Sequence, residues 1–222
     1  MSQSLQAVLF DLDGTLIDTA QDLAEALNRT LTANARPTLP FNRIRPTVSL
    51  GAAAMLQLGF GITEAAAEFA DLRQQFLHHY EQAIAVHSKP FPEIDTVLDN
   101  IEGNGIAWGI VTNKPAHLTQ ALLTALCFSE RTACVVAGDT LPVRKPDPAP
   151  MLHACDILNC DPAHTLYVGD AERDVQAGKR AGMQTLVAAY GYLGDVDQPA
   201  DWGADGIIDS PIRILDWLAR PA

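Results

Sequence analysis

Five short apolar runs constrain the fold of this chain more than any other feature. They are residues 6–10, 107–111, 133–137, 165–168 and 184–188, with a weaker sixth at 206–208. Each has the length of a strand. Each is apolar on successive rather than alternate residues, as a strand buried on both faces must be. Between them lie stretches of helical spacing, such as residues 118–126 and 150–158. This alternation predicts an α/β fold with a parallel sheet covered by helices. In such a sheet the ligand crevice lies beyond the carboxyl ends of the strands.

One long segment departs from the alternation. Residues 18–87 contain no convincing strand. Thr19 is placed to cap a helix with Ala20, Leu23, Ala24, Leu27 and Leu31 on one face. Thr63 is placed to cap another, with Phe69, Leu72, Phe76 and Tyr80 as a core-facing stripe. Gly51, Gly59 and Gly61 punctuate the stretch between them. The reading is a core of residues 1–17 and 88–222 with an inserted, all-helical cap of residues 18–87. The hinges fall near 16–19 and 86–90, and Pro90 and Pro92 stiffen the return.

Polar residues collect where the strands end. The first run ends in Asp11 and Asp13, the second in Thr112-Asn113-Lys114, and the fourth in Gly169-Asp170 with Asp174 after it. Brought to one crevice, Asp11, Asp170 and Asp174 would repel one another unless compensated. An oxygen-bound divalent cation supplies that compensation, and Mg²⁺ is the usual ion beside phosphate. Lys145, in Arg144-Lys145-Pro146, adds a further positive charge. A cation and a lysine beside acidic strand ends suit an oxyanion such as a phosphoryl group, whose transfer is mostly a matter of positioning and charge. One aspartate can attack phosphorus, and a second nearby can exchange protons with the leaving oxygen and with water. On an extended strand Asp11 and Asp13 share a face, and Gly14 lets the backbone turn after them.

These residues fall into four ordered motifs: Asp11-x-Asp13-Gly14-Thr15, Val111-Thr112-Asn113, Lys145-Pro146, and Gly169-Asp170-x-x-x-Asp174. The set resembles the haloacid dehalogenase-like (HAD) hydrolases over essentially the whole chain. The resemblance implies a Rossmann-like core, a small helical cap, and phosphatase chemistry through an aspartyl-phosphate. It implies Asp11 as nucleophile and Asp13 as general acid/base, with Thr112 and Lys145 on the phosphoryl group. It implies Mg²⁺ held by Asp11, the main-chain carbonyl of Asp13, and Asp170, with Asp174 behind them or acting through water. Thr112-Asn113-Lys114-Pro115 and the small cap look like the phosphoglycolate phosphatase subgroup. The short segments 85–89, 108–115, 190–192 and 202–205 resemble bacterial N-acetylmuramic acid 6-phosphate phosphatases. Asn113 and Lys114 are thereby expected near the substrate.

Within the cap, Arg43 and Arg45 could clamp a substrate carboxylate, with Ser49 and Gly51 close by in sequence. Of the six histidines only His87, near a hinge, invites a test. The net charge of −12 argues against nucleic acid and anionic membranes as partners. No apolar run reaches a membrane span, and the first residues do not read as a signal peptide. The four cysteines show no metal-binding spacing and are expected as reduced thiols in or near the core. The expectation is a cytoplasmic monomer or weak homodimer acting on a small phosphorylated metabolite. A phosphosugar mutase or a non-catalytic sugar-phosphate binding protein are the alternatives on the same fold.

Overall fold

The computed structural model describes residues 5–218. Six parallel strands form the sheet: β1 (Ala7–Phe10), β4 (Ala107–Val111), β5 (Cys134–Val136), β6 (Thr165–Gly169), β7 (Gln184–Ala188) and β8 (Gly206–Ile208). Their spatial order is β5-β4-β1-β6-β7-β8. The six apolar runs are these six strands, and β1, β4, β5, β6 and β7 are buried along most of their length because helices cover both faces. The chain builds outward from β1 in one direction through β4 and β5, then returns to build in the other through β6 to β8. The order therefore reverses at β1, and a ligand crevice is expected at its carboxyl end.

Helices α5 (Ile94–Gly103), α6 (Ala116–Ala125), α7 (Ala149–Leu158) and α8 (Glu172–Ala181) connect the strands of the sheet. Four other helices come between β1 and this set: α1 (Ala20–Ala33), α2 (Phe41–Ile44), α3 (Ala52–Phe60) and α4 (Phe69–Glu81). They carry Leu27, Leu31, Met55, Leu56, Phe76 and Tyr80 into the same continuous apolar core as β1 and β4. Where the chain leaves the sheet and where it comes back, two short strands pair antiparallel: β2 (Ile17–Asp18) and β3 (Lys89–Pro90). Two-residue strands have no periodicity, so the sequence gives no sign of them. Asp22 is buried just beyond this ribbon. Its carboxylate accepts from the main-chain N–H groups of His87 and Ser88 and from the Ser88 hydroxyl at 2.6 Å.

Both expected helix caps differ from the structure. Helix α1 does start after Thr19, but that side chain caps nothing. Its hydroxyl donates instead to Oδ1 of Asp13, 2.6 Å away. A carboxylate is the stronger acceptor, and the Tyr192 hydroxyl takes up the N–H groups of Thr19 and Ala20. Helix α4 begins at Phe69, six residues after Thr63, because the chain first turns back with Ala66 N–H on the carbonyl of Thr63. Cys134 and Cys155 are buried, whereas Cys127 is exposed on a left-handed turn. Among the described residues no helix is long and apolar enough to cross a membrane.

Candidate active site

Register alone brings the first carboxylates together. Phe10 of β1 lies opposite Ile110 of β4 and Val168 of β6. The residue after it, Asp11, therefore leaves the sheet beside Val111–Thr112 and Gly169–Asp170. Its N–H is still tied to the carbonyl of Val168 at 2.9 Å. The chain then turns tightly, with the N–H groups of Leu16 and Ile17 on the carbonyl of Leu12. Gly14 makes the turn at φ +88°, and a Cβ there would sit 2.1 Å from Oδ2 of Asp170. Only glycine satisfies both the backbone and the close approach.

Lys145 is fully buried in the middle of this group. Its Nζ lies 2.9 Å from Asp11 Oδ1 and 2.7 Å from Asp174 Oδ1, and it donates to the Val111 carbonyl and the Tyr167 hydroxyl at 2.8 Å each. The ammonium has no water to fall back on, so removing a partner would cost about 3–5 kcal/mol. Asn113, expected at the substrate, also fixes this lysine. Its side-chain amide donates to the Lys145 carbonyl at 3.0 Å and accepts from the Lys145 N–H at 3.1 Å. Asp174 lies in the first turn of helix α8 and accepts from the N–H of Ala171 through Oδ2. Burial raises its pKa, against the pull of Lys145.

Asp170 is 2 % exposed. Its Oδ2 accepts from the N–H of Tyr192 at 2.9 Å and from the hydroxyl of Ser49 at 2.5 Å. Its Oδ1 is buried with no partner. Burial first, and then the charges of Asp11 and Asp174, push its pKa up to about 7. Asp11, Asp170 and Asp174 each present a carboxylate oxygen within 4.8 Å of the others. An unpartnered buried oxygen in an all-oxygen, crowded acidic cluster fits a hard divalent cation.

Asp13 stands apart from that cluster. Both Thr19 and the Nζ of Lys114, 2.9 Å away, bond to its Oδ1. Lys114 also donates to the hydroxyl of Tyr80 at 2.9 Å and lies over its ring. Burial works to lower the Lys114 pKa, but Asp13 and Tyr80 hold it above its ordinary value; burial pushes Tyr80 up to about 12. Lys114 thus ties helix α4 to Asp13 rather than waiting free for a ligand. Thr112, 3 % exposed, accepts from the N–H of Lys114 through its hydroxyl oxygen.

Above these groups is a cavity of about 400 Å³. Asp11, Asp13, Thr112, Asn113, Lys114 and Lys145 line it from the sheet side; Leu23, Met55, Phe69, Phe76, Leu77 and Tyr80 line it from the helices. Three arginines reach it, Arg73, Arg144 and Arg173. Arg43 and Arg45 do not. Arg43 is exposed. Arg45 donates to the Gly191 carbonyl at 2.9 Å and stacks on Tyr192, docking the helical segment onto the sheet loops. Neither arginine expected as a carboxylate clamp therefore lines the cavity. His87 lies outside the cavity, its imidazole 3.2 Å from Glu25. Arg73 went unnoticed in the sequence, although a signal exists: it sits three and seven residues before Phe76 and Tyr80, a charge on the apolar face of α4.

The model of a family described as haloacid dehalogenase-like hydrolase matches residues 8–188. An N-acetylmuramic acid 6-phosphate phosphatase from Pseudomonas aeruginosa is 42% identical over 97% of this chain and 96% of its own length. A phosphoglycolate phosphatase from Xanthomonas campestris is 41% identical over 97% of each chain. Among solved structures, a "predicted phosphoglycolate phosphatase" from Haemophilus somnus superposes with a TM-score of 0.86 at 28% identity, covering 97% of this chain and 98% of that one.

Proposed function

The chain belongs to the haloacid dehalogenase-like hydrolases and is a phosphatase of that family, and from that premise we propose that it is a Mg²⁺-dependent phosphomonoesterase working through an aspartyl-phosphate on Asp11. The observation that carries this reading is the meeting of Asp11, Asp170, Asp174 and Lys145 beneath one wall of the cavity, with Asp13 beside them. With all three carboxylates ionised, the charges of Lys145 and Arg173 leave one net negative charge. A bound divalent cation would turn this to +1 and supply electrostatic stabilisation of the phosphoryl oxygens.

The chain's own groups divide the work. An Asp11 carboxylate oxygen attacks phosphorus while Lys145 offsets charge on the group in flight. Thr112 is placed to hold a phosphoryl oxygen. Asp13, protonated, gives its proton to the departing alkoxide; as a carboxylate it then takes one from the water that cleaves the acyl phosphate. Lys114 and Thr19 hold it at one oxygen for that role. Residues 18–87 act as the cap that covers the leaving group and excludes water. The relatives above are phosphatases, which favours neither the mutase nor the non-catalytic alternative, and the Asp11 and Asp13 pair counts further against a non-catalytic protein.

The substrate is a small phosphorylated metabolite, and of the two suggested by the relatives the larger is favoured. A cavity of about 400 Å³ lies within the range of roughly 300–1,000 Å³ that encloses drug-sized ligands. N-acetylmuramic acid 6-phosphate suits it better than 2-phosphoglycolate. Phosphate release from a panel holding both compounds tests the reading. Hydrolysis of the sugar phosphate with the higher kcat/KM is expected, abolished by chelation and restored by Mg²⁺. Full turnover in exhaustively chelated protein would overturn the metal-dependent scheme, and a preference for 2-phosphoglycolate would overturn the substrate.

A further inference from the structure

The contact between Ser49 and Asp170 joins the helical segment to the acidic cluster across 121 residues of sequence. Ser49 is 7 % exposed, and two bonds hold it in opposite senses. Its hydroxyl donates to Oδ2 of Asp170, and its carbonyl accepts from the guanidinium of Arg173. Around that Oδ2 the protein is closed. The N–H of Tyr192 donates to it at 2.9 Å, and Cβ atoms on Gly14 and Gly191 would come within 2.1 and 2.7 Å of it. The other oxygen, Oδ1, is the one without a partner. One edge of the carboxylate is therefore gripped by a donor from the sheet loops and a donor from the helical segment. The opposite edge is left for a ligand.

We infer that Ser49 is a positioning residue of the metal centre, supplied by the cap: by holding Oδ2 it aims Oδ1 of Asp170 at the cation, so that cation affinity depends on the cap being docked. The inference rests on the metal-dependent reading proposed above. Thermodynamic linkage makes the effect reciprocal, so a bound cation also favours the docked cap, by the same factor. Carboxylate ligands are commonly oriented by such outer hydrogen bonds, and losing one typically weakens metal binding about 10–100-fold.

Mn²⁺ binding to the full chain, followed by electron paramagnetic resonance without substrate, tests this separately from turnover. Wild-type protein should bind one Mn²⁺ that Mg²⁺ displaces. Ser49→Ala should raise the Kd about tenfold or more with an unchanged circular dichroism spectrum. Ser49→Thr, which restores the hydroxyl, should stay within about threefold of wild type. Equal affinities for wild type and Ser49→Ala would overturn the inference while leaving the metal centre standing. A Thr variant as weak as the Ala variant would assign the loss to packing and overturn it too. Failure of the wild type to bind Mn²⁺ would instead overturn the metal-dependent reading itself.

Discussion

On the sheet side of the cavity, Asp11, Asp13 and Thr112 follow the ends of β1 and β4 and Lys145 comes from the loop after β5; Asp11 is paired with Lys145, and Asp13 and Thr112 are bonded to Lys114. On the helical side, Met55, Phe69, Phe76 and Leu77 offer apolar surface, and Arg73 is a charge with no ion pair or hydrogen bond among the described residues. The first wall is tied together through its two lysines: Lys145 and Lys114 each hold two or more partners, and Asp11, Asp13 and Thr112 are bonded to one or the other. The second is a packed but permissive surface, where volume-conserving changes are tolerated. Such a division suits an enzyme that must treat the phosphoryl group, shared by all its possible substrates, rigidly, and the leaving group selectively.

The sharpest contrast between the walls is at Asp11. Asp11→Asn should reduce turnover on every substrate to background, a loss of more than about a thousandfold, with the fold intact by circular dichroism. A purified, folded variant that keeps a few per cent of activity would remove Asp11 from the nucleophile's role. Next in size is Asp13→Asn, which should cost about 10²–10⁴-fold in kcat on a sugar phosphate. In single-turnover formation of the aspartyl-phosphate the loss should be far smaller on p-nitrophenyl phosphate, whose leaving group needs no proton, whereas breakdown of the shared intermediate should slow alike on both. An equal loss in the formation step on both would take the general-acid role from Asp13.

Changes to the helical wall should be smaller and substrate-dependent. Arg73→Ala removes the unpaired charge, and loss of a charged hydrogen bond of about 1.5–3 kcal/mol predicts roughly ten- to hundredfold in kcat/KM on a carboxylate-bearing sugar phosphate. Turnover of p-nitrophenyl phosphate should hardly change. Arg45→Ala should weaken both alike, because Arg45 docks the segment through Gly191 and Tyr192. The reverse pattern, with selectivity at Arg45, would return the carboxylate site to the place where the sequence first put it.

The smallest effect concerns stability. In metal-free protein the folded pKa of Asp170 is pushed up to about 7, above its ordinary 3.8. Between those values the folded state binds more protons than the unfolded. The stabilisation is thus fully present below the ordinary value and is lost as pH rises through about 7. In chelator, the Tm of wild type relative to Asp170→Asn should therefore fall from about pH 5.5 to about pH 8, and Mg²⁺ should reverse the fall. A difference independent of pH would show that the carboxyl titrates normally.

The same contrast between the walls explains what the sequence could and could not disclose. Six apolar runs announced the sheet, because burial on both faces leaves no room for polar residues. Asp11, Thr112 and Asp170 were legible because they follow those runs directly. The helical wall was harder. Thr19 and Thr63 have the composition of caps, but a neighbouring carboxylate claims the first hydroxyl and an extra turn displaces the second. Arg45 and Arg73 look alike as letters, and only tertiary packing sends one to Tyr192 and the other to the cavity. Lys114 and Asn113 were singled out next to Thr112, yet their bonds to Asp13 and Lys145 depend on residues far away in sequence.

The two-residue ribbon of β2 and β3 has a consequence for how such a chain can change over time. Because Asp18 and Lys89 lie side by side, everything between them behaves, in polymer terms, as one loop whose ends are already joined. Lengthening a closed loop is cheap: each doubling costs only about 0.6 kcal/mol in closure entropy. Helical inserts of quite different length and sequence can therefore hang from the same ribbon without disturbing the register that assembles the carboxylates. Closure entropy thus sets little limit on the insert between Asp18 and Lys89, and what an exchanged insert must keep is its docking on the sheet core and the donor that Ser49 gives to Asp170.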